Sequence, residues 1–236
     1  MSPEEEKERT KLHLFIQLLG VPASGKTTLA KYLGERLGAQ VLEEYLVSDN
    51  SLFEKYYSEP DKWAFPIQTL FLFESWRQVV GGKSLEVEGV ADKLSNNSVV
   101  SEPPIWQNAF YAQARLEKNP QELAWYNDLF KGLVGRDSFP KPDILIYLKV
   151  SFSKMLRSIK ERAQRDLTRK AELQESEGYW KRLWDLHEEW VTGNPLGLNI
   201  VILDMDKFAL SDYKTRKQAL KAAYQELVAR SGGLLK

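Results

Sequence analysis

Gly20-Val-Pro-Ala-Ser-Gly25-Lys26-Thr27 carries the spacing G-x-x-x-x-G-K-[ST], a phosphate-cradling loop. Its flanks fit. The apolar run 14–19 (Leu-Phe-Ile-Gln-Leu-Leu) precedes it and reads as a buried strand. After it, Leu29, Tyr32, Leu33 and Leu37 recur at helical spacing. Glycines at 20 and 25 let backbone N–H groups close on phosphate oxygens, and a helix starting near Lys26 aims its positive end at the same anion. Gly20, Ala23, Ser24, Gly25, Lys26, Thr27 and Thr28 are therefore the candidate phosphate ligands. Lys26 can reach the terminal phosphates, and the Thr27 hydroxyl can ligate Mg²⁺.

Outward from the loop, 236 residues suffice for one α/β domain with a sizeable core. The 33 basic residues balance the 33 acidic ones, so nothing suggests a surface for nucleic acid. The chain has no cysteine, which excludes disulfides, thiol catalysis and cysteine-held zinc. No apolar run approaches a membrane span. Residues 1–10 are charged and carry four glutamates, unlike a signal or transit peptide; they read as a solvated tail before a single domain, 11–236, of a cytoplasmic protein.

Four more strand candidates follow: 39–44, 97–102, 143–150 and 199–204. Helical patterns over about 51–80, 105–135, 152–171, 177–192 and 212–230 separate them, and 81–97 reads as a loop or irregular connection. Such alternation predicts a five-stranded parallel sheet flanked by helices, with the ligand beyond the strands' carboxyl ends. Glu44, Glu102 and Asp204 fall at those ends. At the second strand's end Glu44 can accept a hydroxyl proton near the γ-phosphate; Glu43 points to the opposite face, so one of the two is solvated or structural. Trp63, Phe65, Phe71 and Phe73 are expected to be core more than base-stacking. The stripe Tyr179, Leu183, Leu186 and Trp190 reads as core, and neither His13 nor His187 has partners at metal-ligand spacing.

The segment 57–68, Tyr-Ser-Glu-Pro-Asp-Lys-Trp-Ala-Phe-Pro-Ile-Gln, together with the loop and Glu44 in this order, resembles the deoxynucleoside kinase family from the loop to about Asp204. The resemblance implies a P-loop kinase fold with an arginine-bearing helical lid, and ATP and Mg²⁺ as cofactors. It makes Glu44 the base for the 5′-hydroxyl, Tyr57 the ligand of the sugar 3′-hydroxyl and Gln68 the bidentate reader of the base. A side-chain amide suits that task, offering a donor beside an acceptor. Glu102 would help hold Mg²⁺, but Pro103-Pro104 stands where relatives carry an arginine. Asn108 would read the base and Tyr111, or alternatively Phe110, would stack on it; Ser75 replaces a base-contacting arginine of many relatives.

Arg162, Arg165 and Arg169 are spaced three and four apart and share one face of a helix. By the resemblance that helix is the lid, with Arg162 and Arg165 clamping the phosphates in transfer. The alignment beyond it carries an insertion; it leaves Arg169 ambiguous and matches Glu172 to a sugar-binding glutamate. Asp206 and Phe208 follow the last strand in the loop that lies against the donor adenine in relatives, and dimerisation is the family's habit. The implied reaction moves the ATP γ-phosphate to the 5′-hydroxyl of a deoxyribonucleoside. Two rivals remain: a nucleoside monophosphate kinase, disfavoured because 49–76 holds two lysines and no arginine to meet an acceptor phosphate, and a non-catalytic nucleotide-binding protein.

Overall fold

The computed structural model describes residues 13–43, 50–81, 87–135, 139–210 and 214–235. Five strands form one parallel sheet: β1 (Phe15–Leu19), β2 (Gln40–Leu42), β3 (Val99–Ser101), β4 (Ile144–Lys149) and β5 (Ile200–Asp204). Their order is β2-β3-β1-β4-β5, with all neighbouring pairs parallel. β1 is buried along its whole length and β4 up to Lys149, which is why both read as continuous apolar runs. β1 lies between β3 and β4, so the chain departs to both sides of it and leaves a crevice beyond its carboxyl end.

The helices are α1 (Lys26–Leu37), α2 (Asn50–Ser58), α3 (Pro60–Val80), α4 (Val90–Leu94), α5 (Trp106–Leu116), α6 (Pro120–Val134), α7 (Phe152–Arg165), α8 (Glu177–Gly193) and α9 (Arg216–Arg230). Three expectations are corrected. The single helices expected over 51–80 and 105–135 each divide at a proline. Pro60 and Pro120 open α3 and α6 at their first position, where a missing N–H costs nothing, and each forces the residue before it out of helical geometry. The connection 81–97 contains α4. The lid helix stops at Arg165: Asp166 Oδ1 accepts from the Thr168 N–H at 3.0 Å, and the chain continues as a 3₁₀ helix, Leu167–Gln174.

One core joins the sheet to α1, α3, α5, α7, α8 and α9. α5 and α8 meet through aromatic rings, with Trp106 stacked on Trp190 and Phe110 edge-on to His187. His187 is fully buried; its Nδ1 lies 2.7 Å from the Leu183 carbonyl, and burial pushes its pKa down to about 3. α2 packs on the 3₁₀ segment. That packing brings two stretches separated by more than a hundred residues to one wall of the crevice.

Candidate active site

The crevice is a cavity of about 680 Å³, within the range that holds a small-molecule ligand. At its floor is the glycine loop. Gly25 sits at φ 98°, a left-handed geometry that favours glycine, and caps α1. A Cβ on Gly20 would lie 2.7 Å from Ser24 Oγ, and one on Gly25 2.8 Å from Leu210 Cδ1. Gly25 thus favours glycine through its backbone geometry, while at Gly20 an added Cβ would crowd Ser24 Oγ and lie 3.2 Å from the Leu148 carbonyl oxygen. Lys26 Nζ donates to the carbonyls of Gly20 (2.7 Å) and Val21 (3.1 Å). Ser24 Oγ is buried with no hydrogen-bond partner among the described residues, a polar atom suited to a ligand in the loop. Ala23 (φ 57°), Thr27 and Thr28 complete this floor.

Glu102 lies beside the loop, buried at the end of β3, with its N–H donating to the Leu42 carbonyl at 2.9 Å. It lines the cavity together with Thr27. The described residues hold no group of three or more His, Cys, Asp or Glu that could bind a metal by themselves. One carboxylate and one hydroxyl facing a phosphate cradle fit Mg²⁺, which takes few protein ligands and fills its octahedron with phosphate oxygens and water. Glu43 is exposed and ion-paired to Lys31 at 3.1 Å. Glu44 lies outside the described residues.

The opposite wall holds the residues expected to bind a nucleoside. Gln68 on α3 is buried, and its Nε2 donates to the Tyr56 hydroxyl at 2.7 Å. Its carbonyl oxygen and second N–H have no partner among the described residues, so half of the amide remains for a base edge. Tyr57 lines the cavity next to it; burial first, and then the charge of Glu172, raise its pKa, so the phenol keeps its proton and can donate. The guanidinium of Arg115 stacks over the rings of Tyr179, Tyr56 and Tyr57 at 3.9, 4.6 and 5.6 Å and pairs with Glu175 at 2.5 Å, which fixes the tyrosines. Asn108 Nδ2 donates to Ser75 Oγ at 2.9 Å, and Tyr111 lines the cavity one turn on. Of the four aromatic residues expected in the core, Phe71 lines the cavity, Trp63 and Phe65 are half-buried, and Phe73 is exposed, because α3 turns that side to solvent. Phe110 is buried against His187 and Trp190, which leaves Tyr111 as the aromatic residue of α5 that reaches the cavity.

The lid closes the third side. Glu172 is buried, and both its oxygens accept from Arg162 Nη2, at 2.8 and 2.7 Å; Arg169 Nη1 adds a contact of 3.4 Å. The expectation that Arg162, Arg165 and Arg169 share a helical face is corrected, because the helix ends between them. Arg169 reaches Glu172 from the 3₁₀ segment, while Arg165 is exposed and turns back on Glu161, its own i−4 neighbour. Both still line the cavity. Lys154, Arg157 and Ser158 also line it and were not singled out from the sequence, although they repeat at the same three- and four-residue spacing as Arg162. Arg216, Gln107 and Tyr56 were missed as well; no local pattern marks them.

The cavity's last side is the segment after β5. Asp206 accepts from the Ser151 N–H at 3.2 Å, and Phe208 is buried with its edge on the cavity. Lys154 Nζ donates to the carbonyls of Met205 and, at 3.2 Å, Phe208, and lies 3.9 Å from Asp206. Burial lowers its pKa from the ordinary lysine value, with Asp206 opposing. One cavity therefore joins an anion cradle, a buried acid, a polar wall with spare amide groups and a cationic lid.

The deoxynucleoside kinase family model matches residues 16–229. The chain is 30% identical over 179 residues to the deoxyadenosine/deoxycytidine kinase of Bacillus subtilis (strain 168), covering 75% of this chain and 76% of the relative. It is 28% identical over 219 residues to the deoxyadenosine kinase of Lactobacillus acidophilus, covering 90% and 94%. Among solved structures it is similar to a deoxyadenosine kinase from M. mycoides with bound dATP, with a TM-score of 0.67 and 24% identity over 89% of this chain and all of the other, a likeness that speaks for the fold.

Proposed function

The chain belongs to the deoxynucleoside kinase family, and on that premise we propose how its own residues move the γ-phosphate of ATP to the 5′-hydroxyl of a deoxyribonucleoside. The observation that carries this reading is the joining of Gln68, Tyr57 and Glu172 to the glycine loop in a single cavity. Lys26 and the loop N–H groups hold the donor phosphates. Asp206 and Phe208 border the donor base. Gln68 and Asn108 read the acceptor base, Tyr111 stacks on it, and Tyr57 with Glu172 holds the 3′-hydroxyl. Glu44 takes the proton of the 5′-hydroxyl as its oxygen bonds to the γ-phosphorus. The bond from that phosphorus to the β,γ-bridging oxygen breaks, and ADP leaves. Arg162 and Arg165, which line the cavity from the lid, meet the charge on the phosphoryl oxygens in this reading. Thr27 and Glu102 would hold Mg²⁺, which supplies charge neutralisation on the phosphates when bound.

Three further readings complete the proposal. Residues 11–236 act as one domain. Among the described residues no helix is long and apolar enough to cross a membrane, and we place the protein in the cytoplasm with a free nucleoside, not a nucleic acid, as its partner. We assign a homodimer to the face of α3 and α6 where Phe73, Trp125 and Leu129 are exposed together, since an apolar patch of this kind marks an interface. The activity is tested by a coupled assay of ADP release with deoxynucleosides against their monophosphates. Turnover with the deoxynucleosides is expected. Turnover confined to monophosphates would transfer the chain to the monophosphate kinases, and ATP binding without turnover would make it a binding protein.

A further inference from the structure

Gln107 occupies the second position of α5, is buried, and lines the cavity. Its Oε1 accepts from the backbone N–H of Gly20 at 3.4 Å, across 87 residues of sequence. The carbonyl of the same glycine accepts from Lys26. The first glycine of the loop is thus held at both ends, by the loop lysine and by a side chain of the neighbouring helix. The other half of the amide, Nε2, has no hydrogen-bond partner among the described residues, and it is not one of the sealed polar atoms of the core. It therefore opens to the cavity.

The surroundings of that N–H give it meaning. The turn from β3 to α5 is poor in donors: Glu102 contributes a carboxylate, and Pro103 and Pro104 have no N–H. The Pro104 carbonyl is itself taken by the Gln107 N–H at 2.9 Å. A phosphoryl group passing between the loop and the acceptor needs donors on this side, and the Gln107 amide is placed to be one. The next residue, Asn108, faces the acceptor wall and bonds to Ser75. A single turn of α5 thus touches both the phosphate loop and the nucleoside wall.

Resting on the reading of the cavity as a kinase site, we propose that Gln107 is a neutral catalytic donor: Oε1 fixes Gly20, and Nε2 donates to an oxygen of the phosphoryl group in transfer. This is an interaction made during transfer, so its loss lowers kcat and leaves ground-state nucleoside binding alone.

The test uses the full chain with Gln107→Leu and Gln107→Glu. Wild-type turnover with the four deoxynucleosides is recorded first, since its failure would sink the kinase reading, not this one. Thermal melting checks folding, deoxynucleoside affinity is measured without ATP, and kcat is measured at saturation. The expected result is a melting temperature within a few degrees of wild type and affinity within about threefold. The Leu variant should lose about 100-fold in kcat. The Glu variant keeps the acceptor for Gly20 but has no N–H and adds a negative charge, so it should lose more. If the Leu variant fails to fold, the Glu variant carries the test. A kcat within about threefold of wild type in either folded variant overturns the proposal, as does a loss of nucleoside affinity matching the loss of kcat.

Discussion

Replacing Glu172 by glutamine tests the lid and the nucleoside wall together. The Glu172 side chain is 2% exposed and meets Arg162 and Arg169, whose side chains are 30% and 17% exposed. Three contacts converge on one carboxylate, two of them under 3 Å. Breaking a fully buried ion pair from one side costs roughly 3–5 kcal/mol. Arg162 is nearly a third exposed, so water recovers part of its solvation, and glutamine keeps one acceptor oxygen. The expected loss is about 2 kcal/mol of stability, between that range and a single charged hydrogen bond. In a chain of this size that lowers the melting temperature by about 4–8 °C. A double-mutant cycle with Arg162→Ala should give a coupling of about 1–2 kcal/mol, because the two residues share the contact. The same change removes the sugar ligand proposed above, so KM for the deoxynucleoside should rise about tenfold. Circular dichroism melts and steady-state kinetics measure both. A melting shift below about 1 °C with an additive cycle would refute the reasoning.

Lys154→Met removes the ammonium that holds the Met205 and Phe208 carbonyls. KM for ATP should rise several-fold with KM for the deoxynucleoside unchanged, and Lys154→Arg should restore part of the loss; equal changes in both KM values would contradict the donor-side placement. Trp125→Asp with Leu129→Lys should shift the protein from dimer to monomer in light scattering, and an unchanged mass would move the interface elsewhere. His187 is neutral in the folded chain, its pKa pushed down to about 3 by burial. The unfolded chain therefore binds the extra proton between about pH 6.5 and 3, and stability falls as pH drops through that window by up to about 1.4 kcal/mol per unit. Urea titrations of His187→Gln should show a shallower decline below pH 6; an identical slope would remove His187 as its source.

How much of this was legible depended on how local each cause is. β1 and β4 were readable because each is a short apolar run, and burial on both faces of a parallel sheet demands that; the sheet's outer strands, β2 and β5, are only partly buried and were readable from their flanking turn and acidic residues. The glycine loop was readable because its geometry admits few residue types at positions 20 and 25. The helix breaks before Pro60 and Pro120 had a local signal, and apolar periodicity on both sides obscured it. The lid was half legible. Spacing placed Arg162 and Arg165 on one side of the lid helix, but the stop after Arg165 comes from Asp166 accepting from the Thr168 N–H and hydroxyl, and it changes where Arg169 and Glu172 point. The pairing of Gln68 with Tyr56 and of Gln107 with Gly20 joins distant segments, and no pattern within either segment encodes it.

The central claim is that one cavity brings a triphosphate and a deoxyribose hydroxyl together for transfer. The direct measurement is to supply γ-labelled ATP and Mg²⁺ with each deoxynucleoside in turn and to identify where the label goes. The account predicts label on the 5′-oxygen of at least one deoxynucleoside, abolished by Lys26→Met and nearly so by Glu44→Gln. Label that never leaves ATP, or that reaches only acceptors already bearing a phosphate, would contradict it.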